Sequence, residues 1–147
     1  MLYQDFSNAL MQAKNYQSQI SQKEFEMRLM EINNRYSSSN YYYNELQKQK
    51  VEIEILTLKN NRDNSIFSAI DYALELAQIE IRNNTLYSMA YLAINSITSY
   101  LKIQKISDLI LPFTLRLKLA QIDTTMTYSN TMLKSAISEL KNILHVF

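Results

Sequence analysis

A chain of 147 residues is long enough for one domain with its own core, or for a few long helices in an extended assembly, and two independent domains are not expected. Glycine and cysteine are absent and proline occurs once, at Pro112; tight hairpins, phosphate-cradling loops, dinucleotide sites, disulfide scaffolds and thiolate chemistry therefore all lack the residues they need. Fifteen basic against fourteen acidic residues give a net charge of +1. With the two signs interspersed there is no basic footprint for nucleic acid or an anionic membrane, and the balance favours self-association.

The N-terminus, Met1-Leu2-Tyr3-Gln4-Asp5, lacks the basic flank and apolar run of a signal peptide, so synthesis in the cytoplasm is expected and secretion by that route is not. From about residue 3 to 34, Tyr3, Phe6, Leu10, Ala13, Ile20 and Met27 recur at spacings of three, four or seven and form one seam of a helix. Gln17 and Glu24 dilute that seam, and a second one through Phe25, Leu29, Ile32 and Tyr36 takes over, as in a helix that meets different neighbours along its length. Residues 35–43 read RYSSSNYYY. Three serines compete for their own backbone, so a break is expected near 35–40, with Asn40 capping the next helix. Tyr41, Tyr42 and Tyr43 point three ways round a helix, which leaves at least one ring exposed or at an interface.

From Leu46 onward, Leu46, Ile53, Leu56, Phe67, Ile70, Leu74, Ala77 and Ile81 fall on one seven-residue grid, the expected buried seam. Gln49, Asn60, Asp63 and Asn84 fall on it too, and Lys59-Asn60-Asn61-Arg62-Asp63-Asn64-Ser65 reads as a loop near 59–65, with Asp63, Asn64 or Ser65 capping a new helix. A buried Asn fixing register is the alternative. Residues 51–58 begin with a strand-like alternation, but their turn-free flanks favour helix.

Asn83-Asn84-Thr85 forms the next expected break, followed by a stretch, 83–101, without a charged residue until Lys102. A helix contacted on most sides, in a bundle or between subunits, suits it. Its length approaches a membrane span, so insertion stays open as an alternative; Asn95, Ser96, Thr98 and Ser99 make it too polar for that to be the expected reading. A boundary at 107–112 is marked by Ser107-Asp108 and Pro112, so the last helix should begin near 109. Leu115, Leu119, Ile122, Met126, Ser129, Leu133, Ala136, Leu140 and Leu144 then alternate spacings of four and three as its seam. Residues 113–119 alternate as a strand would, but the longer grid outweighs that pattern.

The material for chemistry is thin. The one histidine, His145, sits two residues from the end, where a cation suits a helix C-terminus. Glu24, Glu26 and Glu31, and Glu52 and Glu54, do not converge on one face as a carboxylate pair or metal clamp. No nucleophile has a base in reach, and Lys48 and Lys50 beside the tyrosines are too closely neighboured by Glu45, Glu52 and Glu54 to read as a nucleic-acid stripe.

Together these features point to an all-α chain of long amphipathic helices in an extended bundle or coiled-coil-like assembly, a single helical domain over 1–147. The expected function is non-enzymatic, with no cofactor, metal or small-molecule substrate: a structural or assembly subunit packing on itself or a partner protein, of the kind found in virions and secretion machines. A small intracellular adaptor or regulator binding one partner is the alternative, and an enzyme completed by another chain comes third. The packing and interface candidates are Tyr41, Tyr42, Tyr43, Leu115, Leu119, Ile122, Met126, Leu133, Leu140 and Leu144. Placing a charge in the last seam, by Leu119→Asp or Leu133→Asp, should unfold the protein or abolish assembly, as read by circular dichroism and sedimentation. His145→Ala should change little; loss of function with the fold intact would contradict the non-catalytic reading.

Overall fold

With no glycine and a single proline, little in this chain interrupts a helix once it has started. A computed structural model of the protein describes residues 1–36, 41–83, 89–106, 109–122 and 131–146. Among these, five helices account for 91% of the residues and there is no strand. They are α1 (Leu2–Tyr36), α2 (Tyr41–Asn83), α3 (Met89–Ile103), α4 (Phe113–Gln121) and α5 (Thr131–Ile143). The fold is all-α, and both stretches with strand-like alternation, 51–58 and 113–119, are helical.

The chain divides into two compact units, a larger one of Met1–Leu10 with Ser65–Phe147 and a smaller one of Met11–Asn64. In the larger unit the C-terminal part of α2 supplies Ile66, Ala69, Ile70, Ala73, Leu74 and Ala77, all fully buried. Small alanines alternating with branched side chains let neighbouring helices approach closely. Phe6 and Leu10 are buried in the same unit. α3 packs against α5, and Lys102 pairs with Glu139 at the exposed margin of that contact. α3 buries Ala90, Ala93, Ile94, Ile97, Thr98, Tyr100 and Leu101 and leaves exposed a strip through Met89, Leu92, Ser96, Ser99 and Ile103, with Lys102 beside it. Contact on most sides of the uncharged part of this helix, up to Leu101, is thus met by its own unit. Its N-terminus is capped from a distance: Ala90 donates its backbone N–H to Oε1 of the buried Glu80 at 3.1 Å. A carboxylate there satisfies one of the helix's orphan donors and complements its dipole.

Three expectations are corrected. α2 runs unbroken through 59–65, because Arg62 is buried there, and its guanidinium donates to Asp63 Oδ1 and to Gln17 Oε1, so tertiary pairing overrides a weak local preference for a loop. Of the seven-residue grid, Leu46, Ile53 and Leu56 are exposed and only Ile70, Leu74 and Ala77 are fully buried; the inward residues of the N-terminal half are Val51, Ile55 and Leu58 instead. The helix expected from 109 begins at Phe113, with Pro112 as its N-cap, since a residue before proline is held out of the helical region and Leu111 could not take part. The expected caps at Asn40, Asn84 and Thr85, the Ser107-Asp108 boundary, and Met126 and Ser129 of the last seam lie outside the described residues. α1 is described to Tyr36 and α2 to Asn83, and the residues of the two expected breaks that follow lie outside the described residues.

The missing glycine leaves a mark where helices stop. α3 and α5 close with the same hydrogen-bond pair: Lys105 N–H to Lys102 C=O with Ile106 N–H to Leu101 C=O, and His145 N–H to Asn142 C=O with Val146 N–H to Lys141 C=O. Each places a non-glycine residue at positive φ, 52° for Lys105 and 56° for His145. Left-handed backbone disfavours any residue with a Cβ by about 1 kcal/mol or more. Lys105→Gly and His145→Gly should therefore each raise unfolding stability by about 0.5–1 kcal/mol, measured as a shifted denaturant midpoint at constant slope. A loss of stability at both positions would contradict this account of the caps.

Candidate interaction surface

The smaller unit is a two-helix hairpin made from α1 from Met11 onward and α2 up to Asn64. Its core is small: Ile20, Val51 and Ile55 are buried, with Met27, Met30 and Leu58 packed against them. Polar contacts run along the same seam. Gln17, Lys23 and Glu31 of α1 meet Arg62, Glu54 and Lys48 of α2 at 2.9, 2.8 and 3.3 Å. As the α1 number rises the α2 number falls in step, so the helices are antiparallel in a single register. Gln17, which dilutes the first apolar seam of α1, is thereby the acceptor for a buried guanidinium.

The ion pairs set the local titration behaviour. The hydrogen bond it donates to Glu54, with Glu26 also near, holds the Lys23 ammonium above the usual lysine range. Lys23 in turn holds the Glu54 carboxyl below the usual carboxylate range. Lys48 is raised in the same way by its hydrogen bond to Glu31.

What the hairpin leaves outside is larger than what it encloses. Met11, Phe25, Leu29, Ile32, Tyr42, Tyr43, Leu46, Ile53 and Leu56 are all exposed, Phe25 at 55%, Leu56 at 67% and Tyr42 at 83%. These are not scattered. Phe25, Leu29 and Ile32 step by four and three along α1, and Leu46, Ile53 and Leu56 by seven and three along α2, each a stripe at helical spacing, with exposed Gln49 on the α2 line between Leu46 and Ile53. Ile53 stands two residues from both Val51 and Ile55, about 200° round the helix, so burying that pair turns Ile53 outward. Leu29 stands nine residues from Ile20, again about half a turn. Each stripe therefore faces away from the other helix, and the hairpin carries one on each of two opposite faces. Arg28 lies over the Phe25 ring, 6.0 Å from its centroid.

The sequence-derived candidates separate by role. Leu115, Leu119, Ile122, Leu133 and Leu140 are buried in the larger unit, and Leu144 is half-buried there. Tyr42 and Tyr43 stand exposed on the hairpin; the side chain of Tyr41 lies outside the described residues. Leu46, Ile53 and Leu56 were expected as a core and belong to the surface.

The larger unit has an open groove of about 990 Å³ between α2 and α4, lined by Gln78, Ile81, Arg82, Thr114, Leu117, Lys118, Gln121 and Ile122. Lys118 is drawn to Asp71 at 2.7 Å, and the lining brings no nucleophile together with a base. Among the described residues no group of three or more His, Asp or Glu is placed to hold a metal ion, and no helix is long and apolar enough to cross a membrane. No family model, no curated protein and no solved structure matches the chain.

The Lys23–Glu54 pair makes a pH prediction. A depressed carboxylate contributes stability above its unfolded pKa and loses it as pH falls through the folded one; a raised lysine contributes at and below neutral pH and loses it in strong alkali. Wild type should therefore melt above Glu54→Gln at neutral pH, with the gap closing below roughly pH 4 and narrowing in about 1 M salt. A gap unchanged by acid would show that the pair contributes nothing through charge.

Proposed function

We propose that the chain is a non-catalytic assembly subunit that acts through helix packing with other protein, itself included. The observation that carries this reading is the hairpin's imbalance: its outward-facing large apolar side chains outnumber its inward ones and align into two stripes. Single exposed apolar residues are ordinary on a protein surface, whereas aligned sets mark contact sites. Each large apolar side chain moved from water into an interface contributes about 1.5–3 kcal/mol, so two stripes supply a substantial drive. Parts of virions and secretion machines are built from subunits of this type. That comparison is one of kind.

A small adaptor that grips one partner in a groove or along one seam is the second reading. One stripe would serve it. Stripes on two opposite faces suit a subunit with a neighbour on either side, and that favours assembly.

The purified chain should form concentration-dependent species larger than a dimer in mass photometry and sedimentation velocity. A monodisperse monomer or dimer across the micromolar range would contradict assembly and favour the adaptor.

A further inference from the structure

The two stripes differ in sequence and in the charges beside them, and those charges set the sense in which one stripe meets the other. Along α1, taking Phe25, Leu29 and Ile32 as the contact line, Glu26 flanks it on one side and Arg28 on the other, each about 70–90° from the line. Along α2, with Leu46, Ile53 and Leu56 as the line, Lys50 lies on the side that corresponds to Glu26, and Glu52 on the side that corresponds to Arg28. All four flanking residues are exposed; Glu26 has Lys23 at 3.5 Å, and that lysine is held more closely by Glu54.

Two helices that meet face to face in antiparallel sense bring like flanks together, whereas a parallel pair brings unlike flanks together. An antiparallel α1–α2 contact between copies thus sets Glu26 against Lys50 and Arg28 against Glu52. A parallel one would oppose Glu26 to Glu52 and Arg28 to Lys50. The axial positions agree as well. With Phe25 opposite Ile53 and Ile32 opposite Leu46, each ion pair falls within about two residues, or 3 Å, along the axis. This is also the level at which α1 and α2 already meet inside one hairpin, through Lys23–Glu54 and Glu31–Lys48. Neighbouring hairpins then stand side by side without axial slip. A parallel contact between two α1 stripes would also bring Glu26 near Arg28 of the other copy, but it uses one stripe twice and leaves the α2 stripe of both copies uncovered.

We infer that the hairpin polymerises head to tail: the α1 stripe of one copy docks antiparallel on the α2 stripe of the next. This rests on the assembly reading and names the partner as a second copy of the chain. A heterologous contact of this kind closes into a ring or continues as a filament.

The inference has a signature that no symmetric dimer shares. In the full chain, Leu29→Lys disables only the α1 stripe and Ile53→Lys only the α2 stripe, and both positions are exposed, so folding should be retained by circular dichroism. Each variant alone should sediment as a monomer, while an equimolar mixture should form a dimer and nothing larger, through the one intact face of each. Glu26→Lys and Lys50→Glu should each weaken assembly by about tenfold, and the double variant should restore it. If either stripe variant alone assembled like wild type, or the mixture stayed monomeric while wild type assembled, head-to-tail pairing would be overturned and the assembly reading would stand. A wild-type chain that never self-associates would overturn both.

Discussion

A helix has one rotational phase, and the phase of α2 decides most of what the smaller unit presents. Arg62 is 5% exposed, held by Asp63 from its own helix and by Gln17 from α1. Val51, Ile55 and Leu58 lie on the same side of α2 and share the hairpin interior. Rolling α2 to bury Ile53 and Leu56 would withdraw those apolar side chains and break the guanidinium's hydrogen bond to Gln17. The roll loses that charge-assisted hydrogen bond, about 1.5–3 kcal/mol, and gains little apolar burial, since it exposes one stripe as it buries the other. The outward stripe is thus a consequence of the inward seam. The chain holds more apolar helix surface than one hairpin can enclose.

This also explains how far the residues could be read without a structure. The class of fold was legible because glycine is absent and apolar residues recur at three and four; the buried leucines of α4 and α5, Leu115, Leu119, Leu133 and Leu140, lie on the seam that such counting picks out. The core of α2 was not legible in its N-terminal half. Two sets at helical spacing compete there, one through Ile53 and Leu56 and one through Val51, Ile55 and Leu58, and counting alone favours the wrong one. The true seam is continued by Arg62, Ala69 and Ala73, a cation and two small residues that a hydrophobicity pattern underweights. The polar run around that arginine, with Asp63, Asn64 and Ser65 as possible caps, makes 59–65 look like a loop. Its acceptor is 45 residues away in the chain, where no local rule can find it. Glu80 is a parallel case, since a carboxylate in α2 capping α3 has no sequence signature. Val51 and Ile55 four apart, with Leu58 three further on, was the one available hint of the correct phase.

The candidate surface was half legible. The second seam of α1, through Phe25, Leu29 and Ile32, stood out as facing a different neighbour, and the described chain supplies none for it. Its counterpart on α2 was mistaken for core because the physical signature of a stripe is the same whether its cover comes from within the chain or from another molecule.

Because the chain contains no cysteine, a single introduced thiol reports its own surroundings without interference. The most direct test compares the labelling rates of Val51→Cys, Ile53→Cys and Leu29→Cys over a range of protein concentration. In dilute solution the thiols at 53 and 29 should react fast and the one at 51 slowly. As concentration rises, the first two should slow together while the third stays unchanged. Equal rates at 51 and 53 would contradict the phase assigned to α2, and concentration-independent rates at 29 and 53 would contradict their burial by another copy.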